Sequence, residues 1–159
     1  MVVSQEPFVG NYNFLVELDG VVEDGSVVVG GFSEVRGLGS ETEVIEFRVG
    51  SSPDVFQLPG KTRFSNIILC KGVTHSNALY RWRQAVEGGR LDRRSGAVIL
   101  LDHEMSEKTR WNFYNAWPCR YEAPTFESSA DSVSVETLEI CVGRLERVDV
   151  DADNVGGAI

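Results

Sequence analysis

The chain has 159 residues, a formal charge of −9 and an isoelectric point near 4.7. That length fits one domain with a core that needs no staples, and the acidic balance argues against nucleic-acid or anionic membrane surfaces, which demand clustered Lys and Arg. No run of about 18 apolar residues is present, Met1 to Pro7 lacks the pattern of a cleaved secretory signal, and Cys70, Cys119 and Cys141 form no Cys-x-x-Cys pair, so they read as buried reduced thiols of a cytosolic product.

A period of two dominates the chain. From Tyr12 to Leu18, Tyr12, Phe14, Val16 and Leu18 share one face, and Asp19-Gly20 supplies a turn. Val27 to Val29 begins a second strand. Gly30-Gly31 interrupts it, as a bulge or a close backbone approach would, and Phe32 to Val35 resumes it. Ser40 to Phe47 alternates with both faces mixed, which suits a strand that buries a face only when another subunit arrives. Arg48 to Leu58 reads as a loop rich in Gly, Ser, Pro and Asp, closed by a Pro59-Gly60 turn. Thr62 to Cys70 reads as one strand, nearly continuous in Ile67-Ile68-Leu69 and hence buried on both faces.

A helix is predicted over Asn77 to Glu87, capped by Asn77 or Ser76 and ended by Gly88-Gly89. Ala78, Trp82, Ala85 and Val86 form its apolar stripe with Leu79 beside it, and Leu79, Trp82 and Val86 should pack it on the sheet. Ala97 to Leu101 is a further strand and His103 to Lys108 a polar turn. Thr109 to Tyr121 is a long aromatic strand in which Pro118 implies an edge or a bend. Val133 and Val135 alternate in one phase and Leu138, Ile140 and Val142 in the other. A bulge near Glu136-Thr137, or passage between two sheet environments, would reconcile them. The acidic segment from Arg147 to Ile159 is expected to be a flexible tail. The resulting class is mainly β, a β-barrel-like two-sheet sandwich with one flanking α-helix.

No constellation of catalytic chemistry emerges. Gly37-Leu38-Gly39 lacks the third glycine of a dinucleotide fingerprint and precedes a strand. Asp102-His103-Glu104 points adjacent side chains in different directions, which suits no common metal. Asp149-x-Asp151-x-Asp153 lacks the glycine and closing glutamate of a calcium loop. Acidic residues such as Glu41, Glu43, Glu46, Glu136 and Glu139 read as wet strand faces, although a carboxylate pair of a small β-barrel hydrolase stays an alternative. Trp111, Phe113 and Trp117 read as core or subunit contact rather than a stacking platform. The chain is expected to be no enzyme and to need no cofactor and no metal.

Across residues 8 to 147 the ordered pattern resembles the tail tube proteins of contractile phage tails and contractile injection systems. The carriers are Phe14-x-Val16-x-Leu18-x-Gly20, Gly31-Phe32-Ser33-Glu34-Val35-x-Gly37-Leu38, Glu43-x-Ile45-Glu46-x-Arg48-x-Gly50, Leu58-Pro59-Gly60, and Ile68-Leu69 ahead of Lys71-Gly72. Trp82, Trp111-x-Phe113-x-x-Ala116-Trp117-Pro118 and Glu136-x-Leu138-Glu139-Ile140 complete the set. The resemblance implies hexameric rings stacked into a hollow tube, with residues 1–147 as the tube domain and 148–159 as the tail. It implies as partners other copies of the chain, a sheath protein, baseplate and cap proteins, and effector cargo or DNA in the lumen, without a membrane anchor. Assembly would be cytoplasmic, within a phage tail or injection particle that is later released or driven into target cells. Glu41, Glu43, Ile45, Phe47, Arg48, Phe56, Leu58, Pro59, Val133 and Val135 are the candidate subunit interface. The long loop before Pro59 is expected to reach an adjoining ring. The related tube of type VI secretion, projectile and effector carrier at once, is the nearest alternative.

Overall fold

A computed structural model describes residues 10, 13–20, 28–29, 32–73, 77–129 and 133–150, the pair 28–29 by backbone alone. Ten strands and one helix follow in chain order: β1 Phe14–Leu18, β2 Val28–Val29, β3 Phe32–Arg36, β4 Ser40–Arg48, β5 Val55–Phe64, β6 Ile67–Gly72, α1 Ala78–Glu87, β7 Arg94–Leu101, β8 Glu107–Glu122, β9 Val135–Cys141 and β10 Arg144–Asp149. Eight strands form one antiparallel sheet ordered β2-β1-β7-β8-β9-β6-β3, with β10 also on β8. Strands β4 and β5 pair only with each other. The glycines at 30 and 31 and the expected strand residues Tyr12 and Val27 lie outside the described residues, as does Ser76.

The long strand β8 joins the two halves of the sheet. Its first half pairs with β7 and β10, and its second half with β9, which carries β6 and β3. The halves fold over a single core holding Val16 and Leu18 of β1, Val98 of β7, Phe113 and Ala116 of β8, Leu138 and Ile140 of β9, and Ile67 and Leu69 of β6. Strand β7 explains its unbroken apolar run. Val98 faces this core, whereas Ala97, Ile99 and Leu101 form a second small cluster with Leu15 on the other face. Helix α1 closes the core with Leu79 and Trp82, while Val86 is half-buried. The Trp82 indole donates through Nε1 to the Asp92 carbonyl at 2.7 Å, and the Arg94 guanidinium lies 5.5 Å from its ring centre. Asn77 stands at the N-cap without a side-chain capping bond. Gly89, at φ 85°, turns the chain out of the helix in the left-handed conformation that suits glycine.

Three expectations fail between residues 48 and 70. The segment read as a loop closes after Val49 to Asp54, and Val55–Phe64 returns as a strand paired along β4. Pro59-Gly60 makes no turn. Pro59 opposes Val44 beside the register shift between Thr42 and Val44, so the bend that Pro and Gly favour is absorbed as an irregularity within the ribbon. The strand expected over Thr62 to Cys70 is two strands. Ser65-Asn66 separates the end of β5 from β6, which alone enters the core.

Later segments need smaller corrections. Pro118 meets the expectation of an edge or a bend, because the pairing of β8 with β7 ends at Ala116 and Pro118 opposes Ile140 of β9 on one side only among the described residues. The bend sits at the register shift between Pro118 and Arg120, where Cys119 is the extra residue. No bulge occurs at Glu136-Thr137 in the pairing of β9 with β6: Leu138 and Ile140 point into the core, and Val135 belongs to the opposite phase. Arg147, Val148 and Asp149, expected to begin the tail, complete β10 against Trp111, Arg110 and Thr109. All three cysteines are free, but only Cys70 is buried. Cys119 and Cys141 are half-buried.

Candidate functional site: an exposed hairpin and its surroundings

Among the described residues, exposed large apolar side chains concentrate on the hairpin β4–β5. From Ser40 to Phe64 every residue except Gly60 and Phe64 is exposed. Val44, Ile45, Phe47, Val49, Val55, Phe56 and Leu58 are all exposed large apolar side chains. Burying one Ile, Leu or Phe contributes about 1.5–3 kcal/mol, and an isolated two-stranded ribbon is marginal in water. An apolar patch of this extent marks an interaction surface.

Its residues are ordered by strand alternation. Along β4, Glu41, Glu43, Ile45 and Phe47 share one face. Arg63 opposes Glu41, Leu58 opposes Ile45 and Phe56 opposes Phe47, so that face is charged at the base and apolar toward the tip. Lys61 and Arg63 flank Glu41 and Glu43 in a shallow surface depression. The other face carries the pairs Val44–Pro59, Glu46–Gln57 and Arg48–Val55. The Thr42 and Thr62 hydroxyls meet at 2.9 Å across the ribbon. At the tip, Ser52 donates its N–H to the Val49 carbonyl at 3.2 Å.

The base is fixed firmly. The Gly39 carbonyl accepts the Ser65 N–H at 2.9 Å. Gly37 has φ 91°, and a Cβ there would lie 2.1 Å from the Asn66 carbonyl oxygen. Only glycine fits this left-handed, closely approached position. The hairpin is therefore held at a defined angle to the body.

Of the ten candidate interface residues, Glu41, Glu43, Ile45, Phe47, Phe56 and Leu58 lie on one hairpin face, and Arg48 and Pro59 on the other. Val133 and Val135 belong to the body. Val135 opposes Gly72 in the β6–β9 pair, and Val133 is 79% exposed just before β9. Sequence reasoning missed β5 as a strand, and with it Val55. The available signal was Phe56 and Leu58 at alternate positions, mirroring Ile45 and Phe47.

The body offers a second feature. Between β3 and the facing strands β1, β7 and β8 runs a groove of about 560 Å³. It is lined by Phe14, Phe32, Val35, Val98, Leu100 and Trp111. Among the described residues, strand β3 is the last strand at its end of the sheet.

Titratable groups elsewhere are engaged in structure. The Asp102 carboxylate accepts the Glu104 and Ser106 N–H groups, each at 2.9 Å, and these bonds hold its pKa below the usual carboxylate range against a smaller opposing effect of burial. That fixes the turn expected around His103. Burial, then the neighbouring Cys141 thiol and Glu139, push the Cys119 thiol up to about 12, so it stays protonated near neutrality. Among the described residues no three His, Cys, Asp or Glu side chains gather as a metal site, and no helix is long and apolar enough to cross a membrane.

Known proteins place this architecture. The sequence profile of the T4-like virus tail tube protein gp19 family matches residues 10–146. A chain in a cryo-EM structure of the sheath–tube complex of an extracellular contractile injection system, PVC, in its extended state superposes with a TM-score of 0.81 at 23% identity, covering 91% of this chain and 94% of that one. A chain of the anti-feeding prophage cap gives 0.80 at 25% identity, with coverage of 94% and 96%. Hcp1 from Flavobacterium johnsoniae shares the fold more distantly, with a TM-score of 0.51 at 18% identity over 85% of this chain and 95% of that one. No curated protein matches the chain. The profile match spans both halves of the folded body and the whole hairpin, and the chain belongs to the T4-like virus tail tube protein family, as a structural tube subunit.

Proposed function

We propose that the subunit forms hexameric rings that stack into the hollow inner tube of a contractile injection particle or phage tail. A surrounding sheath drives the tube through a target envelope, and effector cargo or DNA occupies the lumen. The carrying observation is the hairpin β4–β5, a firmly based ribbon whose apolar side chains have no cover within the described residues. Such a surface marks an interface, and in this reading copies of the same chain complete it. Because one face would meet a different face of the next copy, the contacts are heterologous and propagate around a ring or along a stack. The hairpin makes the contact to an adjoining ring, and the edge of β3, unpaired among the described residues, offers a second place for pairing between subunits.

The test is assembly of the purified chain, followed by negative-stain microscopy and sedimentation. Rings or tubes of even width are expected. Phe47→Asp with Phe56→Asp should leave a folded, soluble subunit that forms no tubes. A wild-type chain that stays monomeric at high concentration would overturn the reading.

The sheath, cap and baseplate are the partners that the related particles suggest. The net charge of −9 supports an acidic outer surface that meets a basic sheath element. Tube and sheath should then co-assemble less well at high salt and after charge reversal of exposed acidic residues, and indifference to both would remove this link. The likeness to Hcp1 supports a second reading, a type VI tube acting as projectile and effector carrier. Gene neighbourhood separates them: sheath and baseplate genes of phage type favour the first, and a membrane-anchored complex favours the second.

A further inference from the structure

We propose that Cys119 and Cys141 form a redox site, two thiols on neighbouring strands that close to a disulfide and staple β8 to β9. The inference goes beyond the tube-subunit reading and does not depend on it. The strand register brings the two sulfurs together. Cys141, the last residue of β9, stands directly opposite Trp117 of β8. The register then shifts between Pro118 and Arg120, which leaves Cys119 as the extra residue, with no Cα partner in this ladder. In a regular ladder Cys119 would oppose Glu139. Here Arg120 takes that place, and the thiols of Cys119 and Cys141 come within hydrogen-bonding reach of each other.

The surroundings hold the pair and leave it accessible. Leu138 and Ile140 face the core, so alternation puts Glu139 and Cys141 on the outer face of β9. The Cys119 thiol donates to the Glu139 carbonyl at 3.5 Å and accepts from Asn66 Nδ2 at 3.9 Å. Asn66 also donates to the Glu139 carboxylate at 3.3 Å, which ties this face to the connection between β5 and β6. Both cysteines are free and half-buried, so a small oxidant can reach them. Cys70 is excluded as a partner. It opposes Thr137, four residues before Cys141 on β9, which is about 13 Å along the strand. A disulfide spans Cα atoms at most about 7 Å apart.

Closing the site removes two electrons and two protons from the thiols, and the oxidant is a low-molecular-weight disulfide. The Cys141 sulfur attacks one sulfur of that molecule, breaks its S–S bond and releases a first small thiol. Cys119 then gives up its proton and attacks the Cys141 sulfur of the mixed disulfide, which releases a second small thiol. Cys119 acts second because burial, and then its neighbours, hold its proton. The same property makes its sulfur a poor leaving group, so the closed disulfide is slow to reduce. The site stays open in a reducing compartment and closes in an oxidising one. The closed loop is about 20 residues long, and the restriction it places on the unfolded chain stabilises the fold.

The test uses the full chain, unassembled, first reduced and then exposed to oxidised glutathione. Thiol titration in denaturant should fall from three free cysteines to one. Trypsin cuts after Arg120 and so puts Cys119 and Cys141 on separate peptides, which mass spectrometry should recover joined, with Cys70 free. The oxidised chain should melt about 5 °C or more above the reduced one, and dithiothreitol should reverse the shift. Cys119→Ser should stop at a glutathione adduct on Cys141 and show no such rise, whereas Cys70→Ala should keep both the linkage and the rise. The linkage is read on the wild type itself, so it decides the matter whether or not the variants fold. A wild-type chain that keeps three free thiols, or that links through Cys70 or to a second copy, overturns the proposal. A joined pair that leaves the melting temperature unchanged overturns the staple. Neither result touches the tube-subunit reading, because every measurement is made on the separate subunit.

Discussion

Phe113 and Phe47 are both aromatic residues on antiparallel strands, yet the first is fully buried and the second is 50% exposed. Around Phe113, strands from both halves of the sheet and the helix converge. Around Phe47 the chain supplies only the other strand of the ribbon, with Phe56 directly opposite. The body follows the ordinary rule that alternation buries one face. The hairpin follows the same alternation and buries nothing, so its pattern encodes a surface that another molecule completes. Identical strand chemistry thus serves stability in one region and assembly in the other. The separation predicts that substitutions of the same type give opposite readouts in the two regions.

The largest effect belongs to the body. Trp82→Ala removes a side chain only 2% exposed, its bond to the Asp92 carbonyl and its contact with Arg94. The loss of stability should be about 3–5 kcal/mol, read from denaturant unfolding of the unassembled subunit. A folded variant of unchanged stability would show that the helix does not close the core. At the joint between the regions the expected cost is smaller. Gly37→Ala forces a left-handed φ on alanine and drives its Cβ against the Asn66 carbonyl, which should cost about 1–3 kcal/mol. Because the same residue sets the angle of the hairpin, assembly should fall further than stability does. Equal losses would mean that the base does not orient the ribbon.

The limits of the sequence reading follow the same division. The body was legible where alternation and burial agree, as in Val16 and Leu18, Leu138 and Ile140, or Trp82 on its helix. Reading failed at Pro59-Gly60, where local turn preference pointed one way and the pairing of Phe56 and Leu58 with Phe47 and Ile45 pointed the other. Non-local pairing won, and the Pro and Gly were accommodated as a register shift. The mixed faces of β4 were legible as incomplete burial, but the groove was not. It is assembled from β1, β3, β7 and β8, whose proximity is a property of the fold and leaves no local pattern. Strand β10 was missed for a related reason, since its acidic flanks suggest a tail while its partner lies far back in β8.

On the hairpin, Ile45→Ser with Leu58→Ser should change the stability of the unassembled subunit by less than about 0.5 kcal/mol, because both side chains are already half in water. Tube formation should nevertheless be lost. A destabilisation comparable to that of Trp82→Ala would show that the ribbon is part of the cooperative body, and the contrast between the regions would collapse.

The smallest effect is a dependence on pH confined to the body. Tyr121 lies in the second half of β8, its ring centre 5.1 Å from that of Tyr80 on the helix. Its hydroxyl donates to the Glu136 carboxylate at 2.9 Å. Burial, and then this bond to a carboxylate, push its pKa up to about 12 from an ordinary value of 10.0. The folded state therefore holds the phenol proton more tightly than the unfolded chain does. The corresponding stability is fully present below pH 10 and is lost as the pH rises through 12. Melting temperature should fall across that window in the wild type and fall less in Tyr121→Phe, while phenolate absorbance shows one tyrosine titrating late. The segment from Ser40 to Phe64 contains no tyrosine, so loss of this phenol proton should loosen the packing of helix on sheet without acting on the ribbon. If Tyr121→Phe leaves the alkaline melting profile unchanged, the phenol proton does not contribute to the body's stability, and the strain of high pH must be sought elsewhere in the sheet.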